Sequence, residues 1–432
     1  MIRVPTSFAQ IYNFLFCKNK FLSLSFIVSL AQILGGILGY VYQILMGRML
    51  LPSEFALFSA LMAFFMFLSA PISAMSLLIT RKVSEHKGKE ILTHSKSLFW
   101  FINKLLFFIC AFIAAVFWIN RSQFMEYLNL SDVVGFALFQ IFLILSIFNA
   151  VNSAFFQGLQ NFICIAFLGI LTVALKILIS AGLILAGLQL NGALLGIVSS
   201  LLFILIIGVV ILINQLPDAD VRINFRLPIS IFKQAYPVFV AAIATAAMTQ
   251  LDMVLVNWYF PAEEASLYAA ASVLGKAILY LPGGLIVILF PLVSESKARG
   301  ENSFRIFRQA VVATIICCGT LSTLYFLFSD FIINIFFGHR YDGAGNILKW
   351  YGFAILPMTL VLIAEHYLIA KGKVLFAWLF LAVAPLQVLA IHFWHSQLLE
   401  VLLCMGIFGS LLALIGYLYM YIESKVVLIG YN

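Results

Sequence analysis

The sequence predicts an all-α integral membrane protein with about twelve transmembrane helices in two six-helix lobes related by a parallel internal repeat. Three observations lead there. Of 432 residues, 64% are hydrophobic and only 10% charged, against roughly a quarter charged in soluble domains. Lipid can solvate that much apolar surface and water cannot. Apolar runs long enough to cross a bilayer, about 20 residues each, recur along the whole chain with no polar loop longer than about 20 residues between them. A pattern near residue 50 returns about 210 residues later.

The expected spans are 21–47, 55–79, 97–119, 132–157, 162–187, 191–214, 234–259, 265–290, 307–337, 347–370, 374–395 and 398–422. The first follows Arg3, Lys18 and Lys20 and is too long for the apolar region of a secretory signal, so it reads as a retained span. The ninth is long enough to tilt, or to end near Asp330. Eighteen Lys and Arg fall at the termini and in or at the edges of the even-numbered loops, and four in or at the edges of the odd-numbered loops. This predicts a multi-pass protein of a bacterial inner membrane with both termini cytoplasmic. The net charge of +8 is spread in these loop clusters, which argues against nucleic acid as a partner. All six cysteines but Cys17 sit inside apolar runs without metal-ligand spacing, so no metal site is expected.

The repeat sets the domain organisation. Residues 52–60 read Pro-Ser-Glu-Phe-Ala-Leu-Phe-Ser-Ala and residues 261–270 read Pro-Ala-Glu-Glu-Ala-Ser-Leu-Tyr-Ala-Ala. Each opens a helix after a long apolar one, where proline loses no hydrogen bond and an acid complements the helix dipole. Each helix then carries an internal proline (Pro71, Pro282) and ends in Val-Ser-Glu before a basic loop. Four pieces in the same order divide the chain into lobes 1–220 and 221–432, joined by the polar linker Pro217 to Pro228. Six spans in each lobe make the repeat parallel, an arrangement that places a substrate site between halves in many transporters.

Charged groups at the bilayer centre cost roughly 2.5–3.5 kcal/mol on insertion scales and face a cavity or a partner. Lys176 shares a helix face with Thr172 and Ser180; it reads as an anion site on a cavity wall, or as half of a structural ion pair. Lys276 shares a face with Tyr268, Ser272 and Tyr280. Its nearest acid, Asp252, lies about 13 Å from Pro261 along one helix, whereas Lys276 lies about 22 Å along the next. The mismatch of roughly 9 Å argues against a pair and leaves Lys276 free for a ligand. Asp252, in line with Thr245 and Thr249, is a candidate for a coupling cation or proton. Glu365 is a second such candidate, although Lys371 nearby places it within reach of the headgroups. Lys104 reads as a snorkelling residue. Gln43 belongs to a small and polar stripe on span 1 with Gln32, Gly35, Gly36 and Gly39. Asn149, Asn152 and Gln157 on span 4 read as contacts to sugar hydroxyls or as bonds to neighbouring helices. Arg48 and Arg81 at span ends are the remaining candidates for anion binding.

Several of these stretches resemble polysaccharide flippases of the Wzx type. They are Gly47-Arg48-Met-Leu-Leu-Pro52-Ser-Glu54-Phe-Ala-Leu-Phe58, Gln250-Leu-Asp252-Met-Val-Leu-Val with Pro261 to Tyr268 and Gly275-Lys276, and Gln157-Gly158-Leu-Gln160-Asn161-Phe162. The superfamily also contains multidrug-and-toxin extruders and lipid II flippases. The chain departs at Ala56, where the family often has glycine, and has two spans fewer than lipid II flippases. The resemblance implies an alternating-access carrier with a V-shaped cavity, moving an oligosaccharide on a polyprenyl diphosphate for cell-surface polysaccharide synthesis. Membrane lipids, a polysaccharide polymerase and glycosyltransferases are its implied partners. The expected substrate-binding residues are Lys176, Lys276, Arg48, Gln43, Asn152 and Tyr268, and the ion-coupling residues Asp252 and Glu365. No organic cofactor is expected; coupling to a Na+ or H+ gradient is open. A cation-coupled multidrug extruder is the alternative in the same fold, and two mid-membrane lysines against one aspartate tilt toward a diphosphate. A membrane glycosyltransferase or polymerase is the third reading. Its one Asp-x-Asp, at Asp218 and Asp220, lies in the linker, and no catalytic motif stands elsewhere.

Overall fold

A computed structural model describes residues 20–89, 91–130, 132–217, 229–298, 303–371 and 375–429, and every regular element in them is helical. The linker expected at 217–228 lies almost wholly outside the described residues, as do Arg3, Cys17 and Lys18. In chain order the helices are α1 (Lys20–Met49), α2 (Pro52–Gly88), α3 (Leu92–Ile119), the short α4 (Arg121–Tyr127), α5 (Val133–Gly158), α6 (Phe162–Leu183), α7 (Gln189–Gln215), α8 (Ile229–Tyr259), α9 (Ala262–Gly275), α10 (Gly283–Ala298), α11 (Phe304–Phe336), α12 (Ala344–Lys371), α13 (Leu375–Phe393) and α14 (Leu398–Ile429). Among the described residues ten helical runs are long and apolar enough to cross a membrane. One of them, Phe162–Gln215, holds two expected spans, and Trp378–Phe393 forms a shorter apolar helix. Each of the twelve expected spans thus has its helix. Phe112, Ile119 and Leu185 are 71%, 78% and 80% exposed, apolar surface that only lipid would cover.

The run 162–215 is a tight antiparallel pair rather than one helix. Gly187 (φ 91°) and Gln189 (φ 44°) reverse the chain, a backbone state glycine adopts without a Cβ clash. The two arms then close on each other: Gly196 lies against Ser180, Gly192 against the backbone of Leu183 and Ile184, and Asn161 Nδ2 donates to Gln215 Oε1 (3.3 Å) at the open end. The long ninth span does not stop at Asp330; α11 runs on to Phe336 with a local departure at Phe328 (φ −121°, ψ 24°).

Two compact units emerge: residues 1–46, 75–121 and 132–226, and residues 47–74, 122–131 and 227–432. In the first, α7 packs on both α5 and α6, and α3 on α5. Val83, Leu98, Phe99, Val151, Phe155, Phe156 and Leu212 form the core. The Gln157-Gly158 stretch owes its glycine to this packing, since a Cβ at 158 would strike Val83 and the Thr80 carbonyl. Ser84 Oγ donates to Gly158 O (3.1 Å) and Lys87 Nζ to Leu159 O (2.6 Å), which fastens the same turn.

In the second unit α12 is the hub, packed by α8, α9, α10, α11 and α14. The α1–α2 turn belongs to this unit. Gly47 admits the Phe337 ring, and Phe55 meets Phe337 and Tyr341 at 5.7 and 5.8 Å between centroids. Tyr341 Oη donates to Gly47 O (2.7 Å). The paired prolines of the repeat behave differently. Pro71 lies inside the continuous α2. At Pro282 the chain breaks instead: α9 gives way to a 3₁₀ turn, Lys276–Tyr280, before α10 restarts at Gly283. Proline has no N–H to offer the carbonyl four residues back. Ile278 O accepts instead from Leu281 N (3.3 Å) and the Cys318 thiol (3.8 Å), and Leu274 O accepts from Tyr325 Oη (2.9 Å).

Candidate functional site

Lys176 sits in α6 about 10 Å in axial rise from the α6–α7 turn. It is half-buried, and its Nζ lies over the Tyr42 ring, 4.1 Å from the centroid. Among the described residues it has no carboxylate and no hydrogen-bond acceptor. The ring attracts the ammonium through its negative face but does not neutralise it. Tyr42 is 1% exposed and stands 3.3 Å from Ser180 Oγ. Ser180 spends its single proton on Ala193 O (3.1 Å), so Tyr42 is the donor in that pair. Thr172, on the same face of α6, turns back to Leu168 O (2.6 Å).

The second cluster reverses an expectation. Lys276 Nζ is 2.9 Å from Asp252 Oδ1, with side chains 13% and 0% exposed. The depth count along two ideal helices treated the residues as points. Side chains lean toward the N-terminus of their own helix. In an antiparallel hairpin Asp252 therefore leans away from Pro261 and Lys276 toward it, and the long lysine stem closes the gap. Lys276 is not free for a ligand. It also meets Gln250 Oε1 (3.5 Å), while Asp252 Oδ2 accepts from Tyr268 Oη (2.9 Å) and Tyr351 Oη (2.7 Å). Tyr268, expected at a substrate, is fully buried and given to this carboxylate. Asp252 has a cation and two hydroxyl donors already, so it is not a vacant cation site.

The other candidates scatter. Arg48 Nε donates to Phe336 O (2.7 Å) and its Nη2 to Ile335 O. These are end carbonyls of α11, which lack partners within the helix; the guanidinium is a helix cap and not an anion site. Asn152 is 3% exposed, donates to Leu205 O (3.4 Å) and lies against Gly208, so it joins α5 to α7 rather than lining a cavity. Asn149 does likewise, to Leu201 O (3.0 Å). Gln43 keeps a buried Oε1 without a donor among the described residues. Glu365 does not reach toward headgroups: it is 8% exposed, and Thr245 Oγ1 donates to its Oε2 at 3.1 Å. Lys104 is exposed. Among the described residues no three His, Cys, Asp or Glu side chains gather as metal ligands.

Sequence reasoning missed Tyr42 and Tyr351. Tyr42 neighbours Gln43 in the polar stripe of span 1, which was the available signal. Tyr351 stands alone in an apolar run and carried none.

The fold is shared with solved membrane transporters. The chain superposes on the lipid II flippase MurJ in an inward-closed conformation with a TM-score of 0.72 at 15% identity, covering 94% of this chain and 92% of that one. An inward-facing multidrug resistance transporter of the MATE family gives 0.70 at 12% identity, covering 91% and 95%. A transporter from Pyrococcus furiosus, described as having a binding pocket of reverse polarity, gives 0.64 at 13% identity, covering 94% and 96%. No curated protein matches the chain. The chain therefore has the fold of these membrane transporters. Residues 22–297 match the family model for polysaccharide biosynthesis proteins, and the chain belongs to that family.

Proposed function

We propose that this protein carries a polyprenyl-diphosphate-linked oligosaccharide from the cytoplasmic to the periplasmic leaflet of a bacterial inner membrane by alternating access. The observation that carries the reading is Lys176: an ammonium inside a span, over the Tyr42 ring and with no carboxylate beside it among the described residues, in a chain of the polysaccharide biosynthesis family. A charge left unneutralised in a low-dielectric setting is costly alone and gains by meeting an anion. A diphosphate supplies one. Gln43 Oε1, buried without a donor among the described residues, suits a sugar hydroxyl. The basic bias of the loops supports cytoplasmic termini, and the polymerase and glycosyltransferases of the same glycan are the partners in sequence.

The test is complementation of a flippase-null strain, with surface glycan measured per unit of protein in the membrane. Wild-type chain should restore the glycan, and Lys176→Ala should restore much less at equal abundance. Absent glycan together with raised resistance to cationic dyes would instead establish the multidrug extruder of the same fold.

A further inference from the structure

We infer that Tyr42 is a positioning residue which makes Lys176 a diphosphate-binding point; the cargo in this inference rests on the function proposed above. A lysine inside a membrane ordinarily has one of two fates, and this chain shows both elsewhere. Lys276 is neutralised by Asp252, and Lys104 is exposed. Lys176 follows neither. Its ammonium is held by a ring face, 4.1 Å from the centroid. That hold uses the charge and not the hydrogen-bonding protons, because the attraction is to the quadrupole of the ring. Among the described residues the ammonium has no oxygen or nitrogen acceptor, so it keeps donors for a ligand.

The ring is fixed in turn. Tyr42 is 1% exposed, and its hydroxyl is tied to Ser180 Oγ. Ser180 is tied to Ala193 O across the α6–α7 pair, where Gly196 lets the two backbones meet. A side chain as flexible as lysine loses much entropy on being fixed. Here the platform beneath it has borne part of that loss before a ligand arrives. The result is a positive point held at a fixed place, 4.1 Å from the ring centroid. An anion with several oxygens on one centre matches it, which selects phosphate or diphosphate over a neutral sugar or a cationic drug. The same chemistry occurs in a lipid-linked diphosphate and in a phospholipid headgroup.

Inorganic pyrophosphate is the probe, titrated calorimetrically into the purified full-length chain in nanodiscs of phosphatidylcholine, with or without phosphatidylglycerol. Wild-type protein should bind it, and Lys176→Ala should weaken binding about tenfold or more, the size of one charge-assisted hydrogen bond. Tyr42→Leu should weaken it about threefold to tenfold, and Tyr42→Phe and Tyr42→Trp, which keep an aromatic face, should stay within about threefold of wild type. Unchanged binding by Lys176→Ala overturns the site. Equal losses in Tyr42→Phe and Tyr42→Leu, at equal thermal midpoints, overturn the role of the ring. If Tyr42→Leu does not fold, the Phe and Trp variants still decide, because a loss in both contradicts the inference. Pyrophosphate binding that disappears only with phosphatidylglycerol present identifies a lipid headgroup as occupant and overturns the diphosphate assignment. Binding that behaves as expected while glycan export is absent defeats the proposed function and leaves the site standing. Export that depends on Lys176 without pyrophosphate binding does the reverse.

Discussion

Lys276 and Asp252 form an ion pair at 2.9 Å in which the carboxylate side chain is wholly buried. Removing one partner of such a pair strands the other, which costs about 3–5 kcal/mol, while replacing both by neutral groups of similar size is close to neutral. Lys276→Ala should therefore lower the thermal midpoint and membrane abundance sharply. Lys276→Met with Asp252→Asn should recover most of the loss. A Lys276→Ala variant as stable as wild type would contradict the pair.

The neighbour that aims this cluster is open to a second test. Gly275 lies directly under the Tyr351 ring, and a Cβ there would enter the ring. Tyr351 Oη in turn donates to Asp252 Oδ2. Gly275→Ala should cost about 1–3 kcal/mol by overpacking and loosen the tyrosine from the carboxylate. Gly284→Ala, whose Cβ meets nothing within 4 Å, is the control. Thermal unfolding in detergent compares the two, and equal midpoints would dismiss the contact.

Outside the spans, Asp132 caps α5. Its Oδ2 accepts from Asn191 Nδ2 (2.6 Å) and its Oδ1 from Val134 N (2.9 Å). The Asn191 bond first, and the backbone bond second, hold its carboxyl below the ordinary carboxylate range. A depressed folded-state value means the stabilisation is present above the ordinary carboxylate range and is lost as pH falls through the lowered value. Asp132→Asn keeps a capping oxygen and should flatten that acid limb of the stability–pH curve. Asp132→Ala should lower stability at neutral pH as well. An unchanged acid limb in Asp132→Asn would remove the group from the account.

Much of this fold was legible because the membrane imposes length and polarity on every helix. Two helix starts were legible because Pro52 and Pro261 stand where proline loses no hydrogen bond, and the structure opens a helix at each. What eluded the sequence was direction within a helix. Spacing places Lys276 and Asp252 at different depths, yet the lean of two side chains in opposite helices cancels the difference. Nor does spacing say which polar residues face a neighbour. Asn152 and Tyr268 read as substrate-binding residues because their partners, Leu205 O and Asp252, are distant or unmarked in sequence. The glycine and arginine at 47 and 48 mark a family resemblance in sequence. In the structure their roles are physical: room for the Phe337 ring, and donors for two end carbonyls of α11.

The two candidate coupling acids differ in what already surrounds them, and this decides between them. Asp252 has an ammonium and two tyrosine hydroxyls on its oxygens. Glu365 is 8% exposed; among the described residues its one hydrogen-bond donor is neutral, Thr245 Oγ1 at 3.1 Å, and the His366 imidazole stands beside it. A buried carboxyl with so little compensation is stable as a charge only with a cation or proton at hand. If transport is coupled to Na+ or H+, Glu365 is the group that should take and release the ion. Glu365→Gln should then fold to normal abundance, because the amide still accepts from Thr245, but glycan export should fall and lose its response to a protonophore or to removal of sodium. Asp252→Asn should fail differently, by lowered abundance, with the response intact in the protein that remains. Both follow from export rates measured per unit of membrane protein, with and without each gradient. Glu365→Gln export that is normal in rate and still gradient-dependent would exclude Glu365 and return the search to the cluster around Asp252.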